Sequence, residues 1–180
     1  MATSMFNRVQ PLMRVPNAVF KSQLSMIPDG KSGVIVTLKT MRDITKRYKT
    51  SIPIRTLAVA LTNGLRQKDW HGEIKALHEF VRDKIRYVRD ITDVETLQMP
   101  DITLKIGAGD CDDKSMLLAS LLESINHPTR FVAVGFRPDV YSHVYVESRI
   151  GNRWIPLETT EPVPMGWTPP NIKTRLVIHN

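Results

Sequence analysis

A single cysteine, Cys111, is the strongest nucleophile that this 180-residue chain offers. It follows Gly107, Gly109 and Asp110, residue types that let the backbone turn sharply into a helix, and an apolar run comes after it. Unpaired backbone N–H groups in the first turn of a helix lower the pKa of a thiol there and can stabilise an oxyanion. We therefore predict that Cys111 is a nucleophile and that Asp110 is the helix N-cap.

Two acidic neighbours complicate this prediction. Carboxylates at Asp112 and Asp113 would raise the pKa of the Cys111 thiol, so we expect both to face helix-terminus or partner contacts instead. A lone cysteine before a buried helix is most often a small core residue. The catalytic interpretation therefore depends on finding partners for the thiol.

A nucleophilic cysteine needs a histidine base that a third group orients. His143 begins the predicted strand of residues 142–150. Gly151-Asn152 then predicts a two-residue turn into a second strand, residues 153–157. The histidine therefore lies on a predicted hairpin, where the register decides which side chains share its face.

The hairpin register brings a carboxylate to this histidine. A two-residue turn pairs Ile150 with Arg153. Counting back along both strands pairs Tyr145 with Glu158, which places Glu158 on the face of His143, one diagonal step away. The spacing therefore supports a triad of thiol, imidazole and carboxylate.

Hydrophobic periodicity predicts the elements that position these residues. Apolar residues recur at helical spacing in residues 54–65 and 71–88, and the run 114–125 is apolar on nearly all sides, as in a buried central helix. The remaining predictions are a short strand at 32–38, a basic helix or turn at 41–49, a loop-like stretch at 89–109, and strands at 130–136 and 174–178.

Three ordered segments resemble the transglutaminase-like superfamily: 109–115 (GDCDDKS), 141–147 (YSHVYVE) and 154–160 (WIPLETT). The upstream segment FVRDKIRY is also similar. The resemblance implies a papain-like α+β fold over residues 54–161, with a Cys-bearing helix packed on an antiparallel sheet. It also implies a catalytic triad of nucleophile Cys111, base His143 and acid Glu158. The family's usual acid is Asp, so Glu158 departs from the pattern.

Basic charge is concentrated in the N-terminal part of the chain. Residues 1–69 hold 12 Lys and Arg against 3 Asp and Glu, whereas residues 70–180 hold 13 against 15. We expect a basic N-terminal arm at 1–53, a catalytic core at 54–161 and a Pro-rich extended tail at 162–180. Either an anionic partner or a solvated basic face fits the asymmetry. The cations expected to be largely exposed are Arg42, Lys46, Arg47 and Lys49.

Composition excludes several classes of protein. One cysteine cannot form an internal disulfide, and no run approaches the roughly 20 apolar residues of a membrane helix. Residues 1–16 contain no signal-peptide core. We therefore expect a cytoplasmic protein without membrane contact, or one incorporated into a phage particle, since the chain also resembles transglutaminase-like proteins encoded by tailed bacteriophages.

The cysteine and histidine pattern predicts no cofactor and no metal site, because neither paired thiols nor a His-Glu-x-x-His arrangement is present. We expect the other histidines to be surface or capping residues: His71, His78, His127 and His179.

The leading functional interpretation is a thiol-dependent acyl-transfer enzyme acting on protein or peptide, a cysteine peptidase or amidase rather than a crosslinker. The Cys111 N–H is one expected oxyanion donor, and Gln98 in the preceding loop is the candidate for the second. The alternative is a phage structural or assembly protein that keeps the fold and docks through its arm. Nucleic-acid binding through residues 1–69 is a third interpretation, although these residues lack the aromatic interleaving of single-strand binders.

Overall fold

Helices dominate the described chain up to residue 124, and antiparallel strands follow. The computed structural model describes residues 30–89 and 96–180. Its elements in chain order are α1 (Gly30–Tyr48), α2 (Ile52–Thr62), α3 (Trp70–Lys84), β1 (Arg86–Tyr87), α4 (Pro100–Ile106), β2 (Ala108–Gly109), α5 (Cys111–Ser124), β3 (Thr129–Gly135), β4 (His143–Ile150), β5 (Arg153–Leu157) and β6 (Thr174–His179).

Helix α5 is the centre of the molecule. Four helices, α1, α2, α3 and α4, and two strands of the antiparallel sheet, β3 and β4, contact it. Its side chains from Met116 to Leu122 are buried, as the uniformly apolar run predicts. Each fully buried Leu or Met stabilises the fold by about 1.5–3 kcal/mol, so this packing fixes the helix firmly.

The sheet has the strand order β5-β4-β3-β6, and all its pairs are antiparallel. Ile150 pairs with Arg153 and Val146 with Leu157, which confirms the predicted hairpin register. The turn contains Gly151 at a φ of 58°, in the left-handed region that favours glycine. Strand β6 lies at the sheet edge, as predicted.

Two segments differ from the sequence prediction. Residues 32–38 form part of helix α1 rather than a strand, because Leu38, Met41 and Thr45 lie on one helical face that is buried in the core. The β-branched residues in this segment favour a strand locally, and tertiary packing overrides them. The stretch predicted as loop contains α4, which begins with Pro100 at its first turn and ends at Gly107 in the left-handed region.

The described part of the basic arm packs on the core through α1. Lys46 and Arg47 are exposed, as expected. The side chains of Arg42 and Lys49 are 29% and 38% exposed, so the prediction of large exposure is wrong for these two. They pair with Asp43 and Glu123 respectively. The expected division of the chain at residue 54 stays a prediction, and the lead-in before residue 30 lies outside the described residues.

No helix within residues 30–89 and 96–180 combines the length and apolar character needed to cross a bilayer.

Candidate active site

Cys111 is the first residue of α5, and a capping box fixes the helix start. The Asp110 side chain accepts a hydrogen bond from the Asp113 N–H at 3.0 Å, and the Asp113 side chain accepts one from the Asp110 N–H at 3.3 Å. Asp113 also accepts the Gln98 N–H at 2.7 Å. The predictions that Asp110 is the N-cap and that Asp113 faces the helix terminus are confirmed.

Asp112 lies against the thiol, contrary to expectation. The Cys111 Sγ is 3.6 Å from Asp112 Oδ1, and the thiol donates to this carboxylate. Burial, followed by the negative charges of Asp112 and Asp110, raises the pKa of Cys111 above its ordinary value. The expected lowering of this pKa by the helix terminus is therefore wrong, because burial and two carboxylates outweigh it. The resting group is a protonated thiol.

The start of strand β4 lies beside the same sulfur. The Val144 N–H hydrogen-bonds the sulfur of Cys111 and favours its ionised form. The Ser115 hydroxyl, one helical turn further along α5, lies 3.4 Å from the Val144 carbonyl oxygen. His143 immediately precedes Val144. These contacts therefore hold the N-terminal turn of α5 against the start of β4, the strand that carries the histidine.

The predicted contact between His143 and Glu158 is present. His143 Nε2 lies 2.6 Å from Glu158 Oε2. The other carboxylate oxygen, Oε1, accepts the Thr160 N–H and the Thr160 hydroxyl, both at 2.7 Å. Burial raises the pKa of Glu158, but these hydrogen bonds and the charge of His143 more than offset it, so the net pKa is lowered. Because Nε2 faces Glu158, Nδ1 is the ring nitrogen that does not face this carboxylate.

His78 is a site-related residue that the sequence interpretation missed. Its side chain on α3 is fully buried, and its Nε2 hydrogen-bonds the backbone carbonyl of Glu158. Burial lowers the pKa of His78, so the ring is neutral and donates this bond. The expected surface or capping role is wrong. Its place on the apolar stripe between Leu77 and Val81 was the signal that could have located it.

His127 has the expected capping role, because its backbone N–H donates to the Leu122 carbonyl at 3.0 Å and closes the C-terminal end of α5. Its side chain is buried rather than at the surface, and its Nε2 lies 2.6 Å from Glu73 Oε2. His71 and His179 are exposed, as expected.

Gln98 ties the preceding loop to the start of α5. Its side-chain amide donates to Thr103 Oγ1 and to the Ala108 carbonyl, both at 3.0 Å. Both amide hydrogens are therefore engaged within the protein, and this geometry supports a positioning role. Its assignment as an oxyanion donor stays a prediction.

Within the described ranges, His, Cys, Asp and Glu side chains form no group of three that could hold a metal ion.

The fold and the docking of a Cys-bearing helix on an antiparallel sheet define the papain-like α+β class. A family model described as the transglutaminase-like superfamily matches residues 55–159, and the chain belongs to this superfamily. No curated protein matches the sequence.

Two solved structures share the fold. One is a candidate cysteine protease from Cytophaga hutchinsonii, with 18% identity, a TM-score of 0.52 and coverage of 78% of this chain and 52% of that one. The other is a candidate protease from Parabacteroides distasonis, with 14% identity, a TM-score of 0.58 and coverage of 79% and 31%. This chain thus spans about half of the first protein and a third of the second.

Proposed function

We propose that the chain is a thiol-dependent acyl-transfer enzyme, a cysteine peptidase or amidase that cleaves amide bonds in proteins or peptides. Cys111 is the nucleophile, His143 the base and Glu158 the group that orients the imidazole. Two neighbouring contacts carry the proposal. His143 forms a 2.6 Å hydrogen bond with Glu158, and the next residue of its strand, Val144, contacts the thiol of Cys111.

The protonated resting thiol determines the order of steps. His143 Nδ1 takes the proton as the sulfur attacks the amide carbonyl, so the S–C bond forms without a standing thiolate. The Cys111 N–H stabilises the resulting oxyanion. His143 then gives the proton to the leaving amine as the C–N bond breaks, and water hydrolyses the thioester. Glu158 stabilises the imidazolium during both steps.

Glu158 is suited to this role despite the longer side chain. Its side chain is buried, Thr160 holds one carboxylate oxygen with two hydrogen bonds, and His78 holds its backbone carbonyl. These contacts fix the additional methylene, so the carboxylate stays on the imidazole.

The test is hydrolysis of a mixture of peptide aminocoumarin amides at pH 7 to 8. We expect turnover in the wild-type chain and none in Cys111→Ala. A Cys111→Ala variant as active as the wild type would reject the thiol mechanism.

A second candidate function is a structural or assembly protein that retains the fold and docks through its basic arm. The raised pKa of Cys111 favours it, because a thiol held protonated is a poor nucleophile. Acylation by an activated ester separates the two functions. A structural protein should acylate no faster than a free thiol of the same pKa, and His143→Ala should not change that rate.

A further inference from the structure

A cavity of about 310 Å³ opens beside the candidate triad, and the proposed mechanism does not use it. Its walls come from residues 82–87 at the end of α3 and in β1, from Lys114 on α5, and from residues 160–162. A peptide substrate extends beyond the bond that is cleaved. A neighbouring residue of such a substrate could therefore bind in this cavity.

Both sides of the cavity lead to triad residues. On one side, β1 is joined to the residues before Cys111 by the Val88 N–H donating to the Gly109 carbonyl at 3.0 Å. Tyr87 in that strand lies close enough to Cys111 for the two groups to interact electrostatically, and burial is the main cause that raises the pKa of its hydroxyl. On the other side, Thr160 holds the Glu158 carboxylate. A ligand in the cavity would therefore lie alongside the reacting bond.

The charge of the cavity is predominantly positive. Among the described residues that line it, the cations are Arg82, Lys84, Arg86 and Lys114, and the carboxylates are Asp83 and Glu161. Arg82 is already bound to Asp83 through two hydrogen bonds of 2.6 and 2.9 Å. The salt bridges among the described residues include neither Lys84 nor Arg86, and both side chains are exposed. Within this described lining, three cations thus remain for one carboxylate.

Lys114 provides a fixed donor at the buried end of the cavity. Only 1% of the residue is exposed, and its Nζ lies 2.6 Å from the Ile85 carbonyl oxygen and 3.4 Å from that of Arg82. An ammonium group has three donors, and the described residues accept two of them, so one remains for a ligand. Burial lowers the pKa of Lys114 to about 8, although the charges of Glu158 and Asp83 partly offset this, and the group is mostly protonated at pH 7. An arriving carboxylate would add to this compensation of the buried charge.

We propose that this cavity is a substrate subsite that binds the carboxylate of an acidic residue next to the bond that Cys111 attacks. The proposal rests on the acyl-transfer function proposed above and adds a substrate class to it, acidic peptides. Lys84 and Arg86 attract the carboxylate at the mouth of the cavity, and Lys114 donates to it from the inner end.

The test uses two pairs of alkylating probes that differ only in charge: iodoacetyl-Glu-amide against iodoacetyl-Gln-amide, and the same pair with a Gly spacer. The second-order rate of Cys111 alkylation is measured by intact mass, which reports one thiol only. We expect the Glu probe of at least one pair to react about threefold or more faster than its Gln partner, an effect of the size that exposed ion pairs give. The ratio should approach one at about 1 M salt, where the Debye length is short.

The variants place this preference in the cavity. Lys84→Gln with Arg86→Gln should bring the ratio to about one, whereas Lys75→Gln, an exposed cation of α3 outside the cavity, should leave it unchanged. The exposed pair is chosen because replacing buried Lys114 would disturb the end of α3. A ratio near one in the wild-type chain for both pairs, or an unchanged ratio in the double variant, overturns the subsite. Alkylation needs no turnover, so this result is independent of whether the acyl-transfer proposal holds.

Discussion

Two histidine–carboxylate pairs of the same length lie in different regions of the molecule. His143 and Glu158 meet at 2.6 Å beside the N-terminal turn of α5, and His127 and Glu73 meet at 2.6 Å beyond its C-terminal end. A 14-residue helix separates the two regions by about 21 Å. The chain's one thiol belongs to the first region alone. A histidine–carboxylate pair therefore does not by itself indicate catalysis, and the role proposed for the first region depends on the thiol at the helix start.

The carboxylates of the two pairs are also held differently. The side chain of Glu158 is 1% exposed and accepts two further hydrogen bonds from Thr160. The side chain of Glu73 is 24% exposed. His127 lines a polar cavity of about 280 Å³ that also includes Lys49. This comparison indicates a positioned imidazole in the first region and a structural tie between helix α3 and the end of α5 in the second.

The largest expected effect is the loss of turnover in His143→Ala. Removing a general base costs about 10²-fold or more in rate, so peptide amide hydrolysis should fall by at least that factor. The matched control is His127→Ala, which removes the other imidazole and should keep the wild-type rate constant per folded molecule. An equal loss of hydrolysis rate in the two variants would contradict a catalytic role that belongs to His143 alone.

A smaller effect is expected in His78→Leu, which leaves the Glu158 carbonyl without its buried donor. An unsatisfied buried group costs about 1–3 kcal/mol, which thermal unfolding should show. If His78 positions Glu158, kcat should fall with little change in KM, and His78→Gln should restore part of it. The same loss of stability with an unchanged kcat would make His78 a packing residue only.

Replacing Asp112 by Asn should make the thiol more reactive. The carboxylate raises the pKa of Cys111, so its removal favours the thiolate and shifts the alkylation profile toward lower pH. The rate of iodoacetamide alkylation at pH 7.5 should rise several-fold, and Asp139→Asn, at an exposed site, should leave it unchanged. A slower reaction in Asp112→Asn would show that the carboxylate assists the thiol.

The smallest effect concerns acid stability. The pKa of folded Glu158 is lowered, so its stabilising contribution is fully present above its unfolded value of about 4.3 and disappears as the pH falls through the folded value. Glu158→Gln should therefore lose stability at neutral pH and show a shallower decline below pH 4. Urea unfolding at several pH values checks this, and an unchanged pH slope would contradict the assignment.

The sequence predicted the central helix, the hairpin register and the His143–Glu158 contact, because each follows from a local period or from a two-residue turn. It predicted a basic helix or turn at 41–49, the second half of helix α1, but not the first half, where Val34, Ile35 and Val36 favour a strand locally and packing against α5 decides the outcome. Nor could it predict that Asp112 would face the sulfur, since that depends on side-chain rotation at the helix start.

Long-range polar contacts account for most other differences between the sequence predictions and the structure. His78 and Glu158 are 80 positions apart, and His127 and Glu73 are 54 apart, so no spacing rule connects them. The apolar stripe of α3 did place His78 among buried residues. The position of a histidine on such a stripe indicates the core. Its hydrogen-bond partner can be identified only from the three-dimensional fold.

Acyl transfer to Cys111 tests the central claim most directly. The chain is treated with an activated ester at pH 7, and the hydroxylamine-sensitive mass increase reports a thioester on the one cysteine. The account predicts rapid stoichiometric acylation in the wild type and in His127→Ala, and a loss of about 10²-fold in His143→Ala. Acylation of His143→Ala at the wild-type rate would contradict the proposal that His143 takes the proton from the thiol.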